Sequence, residues 1–177
     1  MSTWGNLNDY PEQTLQSYGD ADKTSQHILE TIQSLFAQAG VTLPQRQYVA
    51  AGTEGSVAYD TEQMTVTCTS IYLGLPGEPQ FQPTGCMLNM SGDFVVELVR
   101  CYPVPKETKR NPDKVVIPSV ATMNAAASVA KIDAQILLEA AFNVQSTQGV
   151  IAQVNFGAPS GAMQAVTLTM SCSLTRD

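Results

Sequence analysis

The residue types that do chemistry are few in this chain and widely spaced. Its single histidine, His27, falls where apolar residues recur at helical spacing. No Ser or Cys sits in a G-x-S-x-G elbow that would make His27 a general base for a nucleophile, so it reads as a surface or half-packed side chain. Four cysteines occur, Cys68, Cys86, Cys101 and Cys172, and none forms a C-x-x-C pair, which removes the usual support for a zinc or dithiol centre. The run Arg-Cys-Tyr-Pro at 100–103 sets a thiol beside a guanidinium, an arrangement that can activate a thiolate. Its plainer reading is a cysteine closing the core end of a strand. Glu54, Asp60, Glu62 and Glu97 are of the type that works in acid/base pairs, but strands and turns commonly carry such carboxylates. The glycine-rich GTEGS at 52–56 has Glu54 in its middle, which repels phosphate, so it reads as a hairpin tip. No Walker sequence or G-x-G-x-x-G occurs. The expectation is a chain that is not an enzyme and takes neither cofactor nor metal.

The elements around these residues are better marked. Residues 1–20 are polar, with Trp4, Tyr10 and Tyr18 among Asn, Gln, Gly and Pro, and read as an extended arm whose aromatics dock on a surface. A helix is predicted from Asp20, with Asp22 or Thr24 as N-cap, an apolar face of Ile28, Leu29, Ile32, Leu35, Phe36 and Ala39, and Gly40 at the C-terminal left-handed position. Arg46 to Ala51 reads as a short extended piece. Met64, Val66 and Cys68 alternate with Thr65, Thr67 and Thr69 as in a half-buried strand. The segment 75–85 holds three prolines and two glycines and reads as a loop. A strand over Met87–Cys101 is apolar on both faces from Phe94 to Val99 except at Glu97, which predicts a central position with cover on both sides. Pro103, Pro105, Pro112 and Pro118 predict an irregular loop over 102–118. Ser119 can cap a long helix from Val120 to about Asn143, whose many alanines allow close approach to a sheet or another subunit. A hairpin closes the chain: VIAQVNF turns through GAPSG into a strand that alternates Val166, Leu168, Met170, Cys172 and Leu174 with Thr and Ser. The fold class expected is α+β, a single domain over 21–177. In it a mostly antiparallel or mixed sheet packs on one short and one long helix, with an N-terminal arm and a C-terminal hairpin.

Composition bounds what such a domain does. With 177 residues it can bury about 70% of its unfolded surface. Charged residues are 14% of the chain, well under the usual quarter, which suggests that copies of the chain cover part of its surface. The net charge of −7 argues against a general nucleic-acid-binding surface and leaves room for an acidic lumen through which DNA slides. Residues 100–114 carry five basic and two acidic side chains, so the remainder carries four basic and fourteen acidic, a charge of −10. Cys68, Cys101 and Cys172 are predicted to be buried and reduced by their strand patterns, and Cys86 to be the most reactive thiol. The opening MSTWGNLNDYPEQ has no apolar run and no window reaches membrane-span length, so a cytoplasmic protein is expected.

The order of landmarks resembles a known family. These are LFAQAG closing a first helix, GSVAYDTEQMTVTCTSIY leading into a strand, Cys86 in PTGC, GDFVVELVRCYPVP, Asp133 within VAKIDAQILLEAAF, and NFGAPSGAMQAVTLTMS. Over residues 24–175 the chain resembles the tail-terminator proteins of long-tailed bacteriophages, the actinobacteriophage type in particular. That resemblance implies a homo-oligomeric ring, usually a hexamer, at the head-proximal end of the tail tube. Such a ring ends tube polymerisation and meets the tube protein below and a head-completion or stopper protein above. Genomic DNA passes through its lumen unread, no membrane is involved, and the protein ends up in the virion neck after assembly in the host cytoplasm. The longer N-terminal arm and the basic PKETKRNPDK segment depart from the family pattern and point to Lys106, Lys109, Arg110, Lys114, Trp4 and Tyr10 as interface residues. Two alternatives stay open: another connector or tube subunit, which should stack into long polymers by itself, and a small ligand-binding or hydrolase domain, which needs a convergent polar pocket.

Overall fold

A computed structural model describes residues 20–51, 61–74, 90–108, 111–144 and 151–174. Helix α1 (Asp20–Gln38) comes first, then strands β1 (Arg46–Ala51), β2 (Gln63–Leu73) and β3 (Met90–Cys101). A short pair, β4 (Lys106–Thr108) and β5 (Asn111–Val116), precedes helix α2 (Val120–Val144), and β6 (Ile151–Phe156) and β7 (Met163–Ser173) complete the chain. Five strands form one mixed sheet in the order β1-β2-β3-β7-β6, with β1 parallel to β2 and the other pairs antiparallel. The fold is α+β, as the sequence predicts.

Both helices lie on one face of this sheet. Ile28, Leu29, Ile32 and Phe36 of α1 and Ala134, Leu137, Ala140 and Ala141 of α2 meet Met64, Val66, Phe94, Val96, Leu98 and the apolar row of β7. The strand alternation that marked Val166 to Leu174 is thus the core row itself. Helix α1 ends as its sequence dictates: Gly40 adopts φ 66°. Its N–H bonds Ala37 O at 3.1 Å while Val41 N–H bonds Phe36 O at 3.0 Å. This is the double bond of a Schellman turn, which satisfies carbonyls that the helix leaves open. At the start of α2, Ser119 Oγ accepts the Thr122 N–H at 3.1 Å, the predicted cap.

Several expectations need correction. Thr24 is buried inside α1, which already runs from Asp20, so neither it nor Asp22 is the cap. Strand β3 is central, with the helices on one face; on the other face Asp93, Val95 and Glu97 are half-exposed while Val99 is buried, as are Gln63, Thr65 and Thr67 beside them on β2, so cover on that face is partial. Residues 87–89 of the strand expected over Met87–Cys101 lie outside the described residues. The segment 102–118 is not wholly irregular. β4 and β5 pair as Lys106↔Val116, Glu107↔Val115 and Thr108↔Asn111, with a register break between Glu107 and Thr108. Pro112 falls in the unpaired stretch this break creates, and a two-stranded ribbon has free outer edges, so the missing N–H of proline costs no ladder bond. Cys101 is exposed: it is the last residue of β3, beyond Val99, which is still buried on the same face. Cys172 is buried and Cys68 half-buried, while Cys86, the GTEGS tip and the loop at 75–85 lie outside the described residues.

Candidate assembly interface

The chemistry-bearing residues resolve into two structural clusters. Arg100 points from β3 to the helix side and meets Asp133 of α2 in a bidentate pair, Nε to Oδ2 at 2.6 Å and Nη2 to Oδ1 at 3.0 Å. The same Nη2 donates to Thr42 O at 2.9 Å, so one guanidinium ties together β3, α2 and the segment after α1. Asp133 is 1% exposed. Burial pushes its carboxyl above the ordinary value, the Arg100 hydrogen bonds and charge pull it back, and Glu62 pushes it up again; the net direction is upward. Arg100 is therefore occupied on the face opposite Cys101 and does not activate that thiol. Desolvation and then the Glu62 charge raise the Cys101 thiol instead. Glu62 also accepts the Cys101 N–H at 3.0 Å, which ties the start of β2 to the end of β3.

The second cluster sits on the open face. Asp93 of β3 accepts hydroxyls from Ser70 of β2 at 2.5 Å, Ser171 of β7 at 2.5 Å and Tyr72 of β2 at 3.3 Å. These bonds knit the three inner strands where β2 bulges between Cys68 and Ser70. Both carboxylates, Asp133 and Asp93, are thus spent on cross-links within the fold. Glu97 lies half-exposed on the open face, and Glu54 and Asp60 lie outside the described residues. His27 is exposed on α1.

Apolar side chains stand exposed in several places, among them Ile71 and Leu73 on β2, Phe142 on α2 and Ile151 and Phe156 on β6, and in one consecutive run around the ribbon. Among the described residues, strands β4 and β5 pair with each other and with no strand of the larger sheet. An isolated two-stranded ribbon is marginal in water, yet this one ends in Val115, Val116 and Ile117, exposed by 53%, 55% and 76%, with Val120 exposed by 76% at the start of α2. The first buried residue of α2 is Ala130. The ten helix residues before it, about 15 Å, hold no fully buried side chain, and Met123 and Ala126 are half-buried. Val129 and Ile132 lie exposed, while Ile136 and Leu137 one turn on are buried. A cleft of about 480 Å³ opens between the ribbon, the helix start and the β6–β7 turn, lined by Tyr102, Pro103, Val104, Val116, Pro118 and Ala162 among others.

Of the sequence-predicted interface residues, Lys106 is exposed on β4 and borders this cleft. Lys114 lies on the backbone of β5; Lys109, Arg110, Trp4 and Tyr10 lie outside the described residues. Charge pointed to this segment. Sequence reasoning missed the row Val115–Val116–Ile117, whose signal was three consecutive β-branched residues directly before a proline. It also missed the Arg100–Asp133 pair, although both residues stood among the landmarks of the family resemblance. Among the described residues no helix is long and apolar enough to cross a membrane. No family model and no curated protein matches this chain.

Proposed function

We propose that this chain is a structural subunit of a bacteriophage tail, a tail terminator whose copies form a ring at the head-proximal end of the tube. The observation that carries this reading is the run of apolar side chains, Val115 to Ile117 and Val120, exposed on the ribbon and helix start of a chain that also exposes Ile71, Leu73, Phe142, Ile151 and Phe156. Such a surface suits a subunit that neighbours complete. The low charge content agrees with surface shared between copies, and the net charge of −7 agrees with a lumen that lets DNA pass without holding it. The landmark residues Arg100 and Asp133 form the bidentate pair that fixes the long helix to the sheet, so the resemblance rests partly on residues with a definite structural task. In this reading the subunit contacts the tube protein on one side of the ring and a head-completion protein on the other, in the virion neck.

Electron microscopy and mass measurement of the purified chain, alone and with tail tubes, test the proposal. Closed rings, most simply hexamers, or a subunit that binds tube ends and stops their growth, are expected. Long stacks formed by the chain alone would assign it to the tube instead. A monomer that ignores tube ends would overturn the reading.

A further inference from the structure

A second apolar cleft lies at the opposite end of the sheet from the ribbon. It has a volume of about 500 Å³ and is bordered by Ala21, Asp22, Val49, Ala50, Cys68 and Ile71. Ile71 and its strand neighbour Leu73 are exposed by 53% and 56%. The sheet register fixes the separation. Ile71 pairs with Gly92, at the start of β3, and the ribbon is reached from Cys101, at its end. Nine residues of extended strand put about 30 Å between the two surfaces.

We infer that the ribbon of one copy seats in the Ile71 cleft of the next, so that the chain associates head to tail. The inference rests on the ring reading and names the contact that would build it. Two observations favour a second copy as the occupant. The first is placement: an apolar projection and an apolar cleft at opposite ends of one subunit cannot meet within that subunit. They can meet between copies related by a rotation, a heterologous contact that closes into a ring or runs on as a filament. The second is charge. With Arg100 spent on Asp133, the segment 101–114 carries four basic and two acidic residues against −9 on the rest of the chain. Lys106 borders the ribbon side and Asp22 borders the cleft. Charge of this kind steers encounter and register, while the valines and isoleucines supply the buried area.

Two variants separate a head-to-tail contact from any other. Val116→Asp with Ile117→Asp spoils the ribbon and leaves the cleft; Ile71→Asp with Leu73→Asp spoils the cleft and leaves the ribbon. All four positions are more than half exposed, so the fold should survive, which circular dichroism checks. In sedimentation, each variant alone should associate roughly a hundredfold or more weakly than the wild-type chain. An equal mixture should give dimers and nothing larger, because one intact ribbon meets one intact cleft and growth stops there. Rings formed by either variant alone, or a mixture that stays monomeric while the wild-type chain forms rings, overturn the contact. The cleft would then belong to another occupant, the chain's own residues 1–19 among them. Should the wild-type chain be monomeric in solution and cap tube ends, the same variants are read by capping: loss in both supports the contact, and retention in either overturns it. Open filaments from the wild-type chain, with dimers from the mixture, would keep the contact and sink the ring reading. A wild-type chain that neither assembles nor caps sinks both.

Discussion

Removing Arg100 is the sharpest test of how this fold is held together. In Arg100→Ala the Asp133 carboxylate, 1% exposed, loses both guanidinium hydrogen bonds, and Thr42 O loses its donor. Breaking one side of a buried pair costs about 3–5 kcal/mol, because the other charge is left without water or partner. For a chain of this size each kcal/mol moves the melting temperature by about 2–4 °C, so a fall of roughly 10 °C is expected. The cost should depend on pH, with a sign fixed by the upward-shifted carboxyl. The folded state keeps its Asp133 proton to higher pH than the unfolded state does. Between the ordinary and the raised value this group's contribution therefore falls as pH rises. Without Arg100 the two lowering influences vanish and the carboxyl shifts further up. The penalty should then be smaller in mild acid, where Asp133 is neutral, than at neutral pH. Replacing both partners, Arg100→Met with Asp133→Leu, should recover most of the loss. Urea unfolding of the wild-type chain, Arg100→Ala, the singles Arg100→Met and Asp133→Leu, and the double variant at two pH values measures all of this. A single-variant loss below about 1 kcal/mol, or a double variant as unstable as the two singles added, would refute the account of Asp133 as a dry charge held by one partner.

Other outcomes follow from the same geometry. Of the three described thiols, Cys101 should be modified first by a thiol reagent, and Glu62→Gln should speed its reaction at pH 8 by removing a charge that raises its pKa. Cys172, pushed up to about 12 by burial, should react only when the protein unfolds; labelling followed by mass spectrometry ranks them, and early modification of Cys172 would contradict the packing. Hydrogen exchange should be fast over 120–129 in the isolated subunit and slow over Ala130–Ala141, and assembly should protect the first stretch. Changing Lys106, Lys109, Arg110 and Lys114 to Ser should leave folding intact while slowing assembly most at low salt; unchanged assembly rates would remove charge from the contact. Duplex DNA should bind weakly at physiological salt, and tight binding in a filter assay would contradict the acidic-lumen reading.

Local signals were legible and distant ones were not. The face of α1, Gly40 as its stop, the Ser119 cap and the alternation of β7 are each written within a few residues, where helical or strand periodicity and backbone stereochemistry act. The parallel pairing of β1 with β2 depends on a crossover, and no residue of RQYVAA specifies its partner. Prolines were read as forbidding structure, although a ribbon with two free edges and a register break accommodates them. Arg100 and Asp133 stand 33 positions apart, and nothing local to either announces the other. The candidate interface was half legible: its basic charge stood out in the composition, but its apolar row became visible once Val115, Val116 and Ile117 proved to have no core beneath them.

The Arg100–Asp133 pair also divides the chain into what can vary and what cannot. It clamps the strand that leads into the ribbon to the helix that leads out of it, closing a loop of 33 positions at its neck. Everything between the clamp points that lies beyond the core, from Lys106 to about Val129, can be lengthened, shortened or rewritten without reaching the packed residues behind it. Because the proposed seat of the ribbon is the Ile71 cleft of an identical copy, each such edit must be answered around Ile71 in the same gene, so ribbon and cleft should vary together while the clamp between them stays fixed.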